Sequence, residues 1–374
     1  MKPLYLDSTA TTALDPRVFD AMRPFLEDIY GNPSSIHRPG ILAKREINLA
    51  RQSIGRLLNI DPQEMIFTSG GTESINLALK GLAFAHPEKK EIITTPIEHK
   101  ATLKACDFLS RLGFTIHYVK VDHQGFVDLL HLESLISSKT LVCSIIWGNN
   151  EIGTIQDINA ISKITQKHGV YLHVDAVQMI HHFPLDLKKY PIDLLTLSAH
   201  KFRGPKGVGL LYLKDGIRIE PLIHGGAQEF DRRAGTENVA GIVGMRKALE
   251  LVYASHHIHR ERLNRMAQSF LNVLEKKEDV RLNGPLVGPN RIPGQLNISF
   301  KYQRGFDMAF ELDKHKIYVS TGSACNSNAI EPSHVLTALS VDPDYIGGSL
   351  RITFSEEHTD DDISYLLYTL SEIL

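Results

Sequence analysis

The first sequence signal is helical. Asp15 and Pro16 suit an N-cap and a first helical turn. Val18, Met22, Phe25, Leu26 and Ile29 then recur at helical period until Gly31-Asn32-Pro33 stops the run. A second helix is expected over residues 41–58. From there short apolar runs alternate with helical segments. Strands are predicted at 64–68, 91–95, 114–121, 140–147, 170–174, 193–197 and 208–213, and helices at 73–85, 102–112, 129–136 and 157–168. Strands separated by helices of about 10–15 residues imply βαβ units, hence a mainly parallel sheet with helices on both faces. Past Asn238 the alternation weakens into a long helical stretch through 248–275, followed by strands at 295–300, 317–320 and 350–354 spaced by helices. The expected fold class is α/β. A large domain spans 15–254, and a small α+β C-terminal unit, 255–374, is joined by an N-terminal arm, 1–14.

Composition narrows the classes without naming one. At 374 residues, 43% hydrophobic and 22% charged, the chain can bury the core of a large enzyme. Its net charge is −2 with no basic block, which argues against direct nucleic-acid binding. No apolar run is long enough for a membrane helix, and the start, MKPLYLDSTATT, has no apolar core of a secretory signal. The three cysteines, Cys106, Cys143 and Cys325, show neither metal-finger spacing nor a disulfide framework. A reducing cytoplasm is therefore expected. Cys143 in TLVCSIIW and Cys106 in ATLKACDFL read as packing residues. Cys325 differs: its neighbours, Gly322-Ser323-Ala324-Cys325-Asn326-Ser327-Asn328, are small and polar without periodicity, so an exposed, reactive thiol is expected there.

The candidate chemistry collects at predicted strand ends, where open α/β sheets bind ligands. After the strand at 64–68 comes Ser69-Gly70-Gly71-Thr72-Glu73, a Gly-rich entry to a helix that reads either as a phosphate cradle or as a plain capped turn. Later strands are followed by Glu98 and His99, by Asn149, Asn150 and Glu151, by Asp175 and Gln178, and by Ser198, His200 and Lys201. Singly, each of these is ordinary. Together they supply an anion site, a carboxylate, amides, an imidazole and an amine, which is the inventory that pyridoxal 5′-phosphate (PLP) needs. Lys201, in a Gly/Pro-rich turn behind an apolar strand, is the expected Schiff-base lysine, and Lys206 is its rival.

These residues also carry a resemblance. YLDSTATT from Tyr5, GNPSSIH from Gly31, FTSGGTESINLALKG from Phe67, EHKA from Glu98, NNEIGTIQDI from Asn149, HVDAVQ from His173, SAHKFRGPKGVG from Ser198, RRAGTEN from Arg232 and STGSACNS from Ser320 occur in order along nearly the whole chain. In these motifs the chain resembles the cysteine desulfurases of the NifS/IscS family, a class-V aminotransferase branch of the fold-type I PLP enzymes. The resemblance implies that Lys201 carries the cofactor, His99 stacks on its ring, and Asp175 pairs with the ring nitrogen. Gln178 and Asn150 would lie near the ring substituents, and Gly71, Thr72, Ser198 and His200 would hold the phosphate. Thr236 would reach the phosphate of a neighbouring subunit, so a homodimer with shared sites is implied. Arg351 would clamp the substrate carboxylate, with Asn150 beside it.

The implied reaction takes sulfur from L-cysteine. Lys201 acts as general base on the α-carbon, and the thiolate of Cys325 attacks the substrate sulfur. Alanine leaves, and a persulfide remains on Cys325 for a protein acceptor such as an iron–sulfur scaffold or a thiolation enzyme. No resident metal is expected, beyond a transient iron–sulfur ligand role open to Cys325. The long segment around Cys325 resembles the housekeeping and nitrogenase-associated group rather than the shorter-loop group. Two stretches depart from the family pattern: Gln228-Glu229-Phe230-Asp231, which lacks a basic residue, and Arg351-Ile352-Thr353-Phe354-Ser355. The main alternative is another class-V enzyme, such as a small amino-acid aminotransferase, which would have no use for Cys325. An iron-binding scaffold or a nicotinamide dehydrogenase fits less well, because the cysteines are scattered and no dinucleotide fingerprint follows the first strand.

Overall fold

The computed structural model describes residues 3–321, 325–326, 329–330 and 332–374, with backbone alone at 256–258, 325–326 and 329–330. Its centre is a seven-stranded sheet. In chain order the strands are β1 (Met65–Thr68), β2 (Glu91–Thr94), β3 (Thr115–Tyr118), β4 (Thr140–Ile146), β5 (Tyr171–Asp175), β6 (Leu194–Ser198) and β7 (Gly209–Leu213). Their spatial order is β1-β7-β6-β5-β4-β2-β3. All pairings are parallel except those of β7, which runs against both β1 and β6. Every residue of β4 is buried, as expected of a central strand covered on both faces.

Two apolar cores sandwich this sheet. One joins Ile93, Cys143, Ile145 and Val174 to helices Arg38–Leu58, Ile158–Lys167 and Val239–Leu274. The other joins Ile92, Val142 and Leu211 to helices Gly71–Ala85 and Lys100–Ser110, and it contains Cys106. Cys106 and Cys143 are both buried free thiols, as their surroundings in the sequence imply.

A third core gathers Leu263, Phe270, Leu296, Ile298, Leu350, Ile352 and Leu366 around the antiparallel strands Val280–Leu282, Gln295–Phe300 and Ser349–Thr353. Leu4 and Leu6 of the N-terminal arm lie in this core. Leu4–Tyr5 pairs in parallel with Ile317–Tyr318, so the latter segment joins the arm and not the three-stranded sheet.

Several boundaries differ from the periodicity. The first helix is broken into Pro16–Met22 and Pro24–Glu27, because Pro24 has no N–H to continue the ladder. The long helix starts at Val239, where the Asn238 side chain accepts from Gly241 N at 3.0 Å, earlier than its apolar pattern suggests. Among the described residues no helix is long and apolar enough to cross a membrane.

Candidate active site

Strands β1, β2, β4, β5 and β6 end at one edge of the sheet, and β7 enters there at Gly209. A cavity of about 370 Å³ opens at that edge. Gly71, Thr72, His99, Asn150, Asp175, Gln178, Ser198, His200, Lys201 and Arg351 all line it. Residues from position 71 to position 351 are thus brought to one cavity.

Lys201 reaches the cavity because β6 is followed at once by a single 3-10 turn, Ala199–Lys201. That turn is closed by Ala199 N to Val208 O at 3.0 Å and Gly204 N to Ala199 O at 2.9 Å. The Lys201 amine donates to the carbonyls of Thr9 at 2.6 Å and Ala10 at 2.9 Å. Burial, with a contribution from the positive charge of Arg351, pushes its pKa down to about 8. Lys206 is exposed and lies outside this cavity.

Asp175 ends β5 and is 4% exposed. Its Oδ1 accepts from Val177 N at 3.0 Å. Burial raises its pKa, and His99 and Lys201 counter part of that rise. His99 is the N-cap of Lys100–Ser110, its Nδ1 accepting from Ala101 N at 3.1 Å. An accepting Nδ1 leaves the proton of the neutral ring on Nε2. The ring is open to the cavity, yet desolvation still lowers its pKa. Just before it, Glu98 is fully buried and accepts from Thr95 Oγ1 at 2.7 Å and Ile146 N at 2.9 Å. Burial lifts its pKa to about 8, well above the usual carboxylate range, against the two hydrogen bonds that lower it.

A second hollow of about 340 Å³ lies where Ser69–Thr72 meets Ser198, His200 and Lys206. The helix Gly71–Ala85 starts there with no side-chain cap, so its first N–H groups are free for an anion. The backbone approaches closely: a Cβ on Gly209 would stand 2.6 Å from Gly70 Cα. Gly70 itself has φ of 150°, a conformation that side chains rarely adopt. His200 Nδ1 meets Thr11 Oγ1 at 3.1 Å, and burial with the neighbouring lysines lowers its pKa to about 4.

On the opposite side, Arg351 donates from Nη2 to Asp7 Oδ1 at 2.7 Å and from Nη1 to the carbonyl of Asn150 at 3.0 Å. Gln178 Nε2 donates to Thr9 O at 3.0 Å. The arm segment 7–12 therefore touches Gln178, His200, Lys201 and Arg351, a wall that hydrophobic periodicity did not assign. Its signal was the run of small hydroxylic residues after Asp7. His173, inside the HVDAVQ motif, is buried between Ser144 and Thr196 and lies away from the cavity.

Thr236 is exposed and does not line the cavity. The backbone of Cys325 pairs with that of Ile330, and its side chain lies outside the described residues, as do Gly322, Ser323 and Ala324.

The profile of the class-V aminotransferases matches residues 4–366. The chain belongs to the class-V aminotransferase family. Within it, the chain is 48% identical to the cysteine desulfurase IscS of Dictyoglomus turgidum, over 100% of this chain and 95% of that one. Solved structures similar to it include a NifS-like protein, with TM-score 0.93 and 39% identity over 99% of both chains. Another, described as SspA in complex with cysteine, has TM-score 0.83 and 34% identity over 94% of this chain and 98% of that chain. The chain thus lies in the NifS/IscS branch of the class-V aminotransferases, and its sheet and flanking helices are the PLP-dependent fold type I.

Proposed function

We propose that this class-V chain is a PLP-dependent cysteine desulfurase. It converts L-cysteine to L-alanine and holds the sulfur as a persulfide on Cys325. The observation that carries this reading is the convergence of Lys201, Asp175 and His99 on one cavity beside an uncapped helix N-terminus. The names of the relatives, cysteine desulfurase and a cysteine complex, support the same substrate.

The groups present fit the cofactor. The free N–H groups at Gly71 and Thr72, with Ser198 and His200, would hold its phosphate. Asp175 would meet the ring nitrogen, Gln178 and Asn150 the ring substituents, and His99 one ring face. When bound at Lys201, PLP supplies an electron sink for negative charge developing on the substrate α-carbon.

The chain's own groups do the rest. Lys201, with a pKa of about 8, has a substantial neutral fraction near physiological pH and can take a proton and return it. Asp175, kept from solvent, favours positive charge opposite it. His99 presents Nε2–H toward the cavity. Arg351 receives the substrate carboxylate. The Cys325 thiolate attacks the substrate sulfur: an S–S bond forms, the Cβ–S bond breaks, and its electron pair and a proton end on the carbon that becomes the alanine methyl.

The working unit we propose is a cytoplasmic homodimer in which Thr236 reaches the partner's phosphate site. Residues 15–254 act as the large domain, and 1–14 with 255–374 as the small one. The acceptor is a protein such as an iron–sulfur scaffold or a thiolation enzyme.

The test is to load the protein with PLP and measure alanine and sulfide from L-cysteine with reductant present. Lys201→Ala should lose the borohydride-sensitive visible band and alanine production. Cys325→Ser should keep the band and lose sulfide release. Sulfide at the wild-type rate from Cys325→Ser would overturn the persulfide step.

A further inference from the structure

Arg351 is held from two sides by groups that the proposed reaction does not otherwise use. Asp7 Oδ1 takes Nη2 at 2.7 Å, and Asn150 O takes Nη1 at 3.0 Å. Among the described residues the buried Nε of Arg351 has no hydrogen-bond partner. One edge of the guanidinium is therefore fixed and another is left with an unmet donor, in a residue only 7% exposed. A buried donor without a partner is costly unless a ligand completes it.

Asp7 is itself rigidly placed. Leu6 N donates to Tyr318 O at 2.8 Å, and Thr353 N donates to Leu6 O at 2.8 Å. Asp7 makes a parallel bridge with Thr353, two residues along the same strand from Arg351. Arg351 in turn exchanges two backbone bonds with Ser320, at 2.7 and 3.2 Å. Both partners of the ion pair are thus anchored by their backbones, and the pair transmits a fixed position to the guanidinium. Two residues further along the arm, the Thr9 carbonyl accepts the Lys201 amine. One short segment therefore sets both the amine and the guanidinium, the two groups that an α-amino acid must meet at its amino and carboxylate ends.

We propose that Asp7 is a positioning residue of the carboxylate subsite, fixing the orientation of the Arg351 guanidinium so that it selects α-amino acids over amines without a carboxylate. The inference rests on the reading of Arg351 as the carboxylate clamp. Asp7 also shares the positive charge of Arg351. It sets orientation at some expense of raw affinity, since a substrate carboxylate and Asp7 draw on the same cation.

The experiment uses the PLP-loaded enzyme and compares KM and kcat for L-cysteine with the apparent affinity for cysteamine, its carboxylate-free analogue, read from the visible spectrum. Asp7→Ala should raise KM for L-cysteine by about 10-fold while kcat stays within about 3-fold and cysteamine binding is unchanged. Asp7→Asn, which keeps an acceptor oxygen, should stay within about 3-fold of wild type. Asp7→Ser, too short to reach Nη2, takes the place of the Ala variant if that fails to fold. Arg351→Ala is the control for the underlying reading and should weaken L-cysteine at least as much as Asp7→Ala, with cysteamine unaffected. A wild-type KM in Asp7→Ala while Arg351→Ala is impaired overturns the role of Asp7 alone. Equal weakening of cysteamine, or an Asn variant as poor as the Ala variant, also overturns it. An Arg351→Ala enzyme with unchanged KM overturns the carboxylate clamp, and the role of Asp7 falls with it.

Discussion

The amine of Lys201 donates to two backbone carbonyls in a desolvated cavity, and its proton affinity is set by that burial and by Arg351, far from it in sequence. Its pKa of about 8 is below the ordinary lysine value because burial and Arg351 both disfavour the ammonium. Schiff-base formation needs the neutral amine, whose fraction rises with pH. The rate at which apoprotein takes up PLP should therefore climb through pH 8 and level off about one unit above it. Stopped-flow absorbance checks this. A rate that goes on rising in proportion to hydroxide up to pH 10, about the ordinary lysine value, would show that the amine is not depressed. Lys201 itself was legible in the sequence, because an apolar strand followed by a Gly/Pro turn displays its next polar residues at the sheet edge. The groups that hold its amine in place were not. Backbone carbonyls at Thr9 and Ala10 carry no residue-type signature, and their approach depends on where the arm docks.

Elements show the same contrast. The strand–helix alternation from 64 to 213 follows hydrophobic pattern closely, since parallel strands buried on both faces read as near-continuous apolar runs. The five-residue helix His334–Ala338 is too short for periodicity to speak. Two local arrangements make predictions here. The segment Glu229–Asp231 takes three consecutive left-handed conformations, φ 49°, 59° and 62°. It does so while Glu229 receives Arg51 Nη2 at 2.7 Å and Phe67 N at 2.8 Å. Phe230 and Phe67 cover the Arg51 guanidinium at 5.0 and 4.7 Å from their ring centres. Arg51 and Glu229 are both buried, so Glu229→Ala strands a charge and should cost about 3–5 kcal/mol in denaturant unfolding. A loss below about 1 kcal/mol, the range of a surface pair, would contradict this.

Helix His334–Ala338 is the second case. Ser333 caps it by accepting from Val335 N and Leu336 N, at 3.2 and 3.3 Å, and donates to Glu151. His334 Nε2 lies 2.9 Å from the carbonyl of Glu98. This helix therefore ties the residues after the Cys325 segment to both Glu98-His99 and Asn150-Glu151. Ser333→Ala removes a cap and leaves Glu151 buried without that donor, so it should lower stability by roughly 1–3 kcal/mol, read as a fall in Tm. An unchanged Tm would mean that the cap and the Glu151 contact carry no stability.

In the whole molecule, the site lies where the sheet's carboxyl edge meets the N-terminal arm and the C-terminal strands, so no single stretch of sequence contains it. The α/β class and the inventory at the strand ends could be read from pattern because each strand delivers its next residues to one edge. The wall formed by residues 7–12 could not, because it depends on Leu4 and Leu6 packing in the core built around residues 263–370. The division of labour proposed for the chain has Lys201 activating the carbon and Cys325 accepting the sulfur. Its most direct test is one turnover of the PLP-loaded enzyme with L-cysteine and no reductant, followed by peptide mass analysis. The account predicts one alanine per site and one added sulfur on the peptide carrying Cys325. Alanine formed with the added sulfur on the Cys106 or Cys143 peptide, or on no peptide, would contradict it.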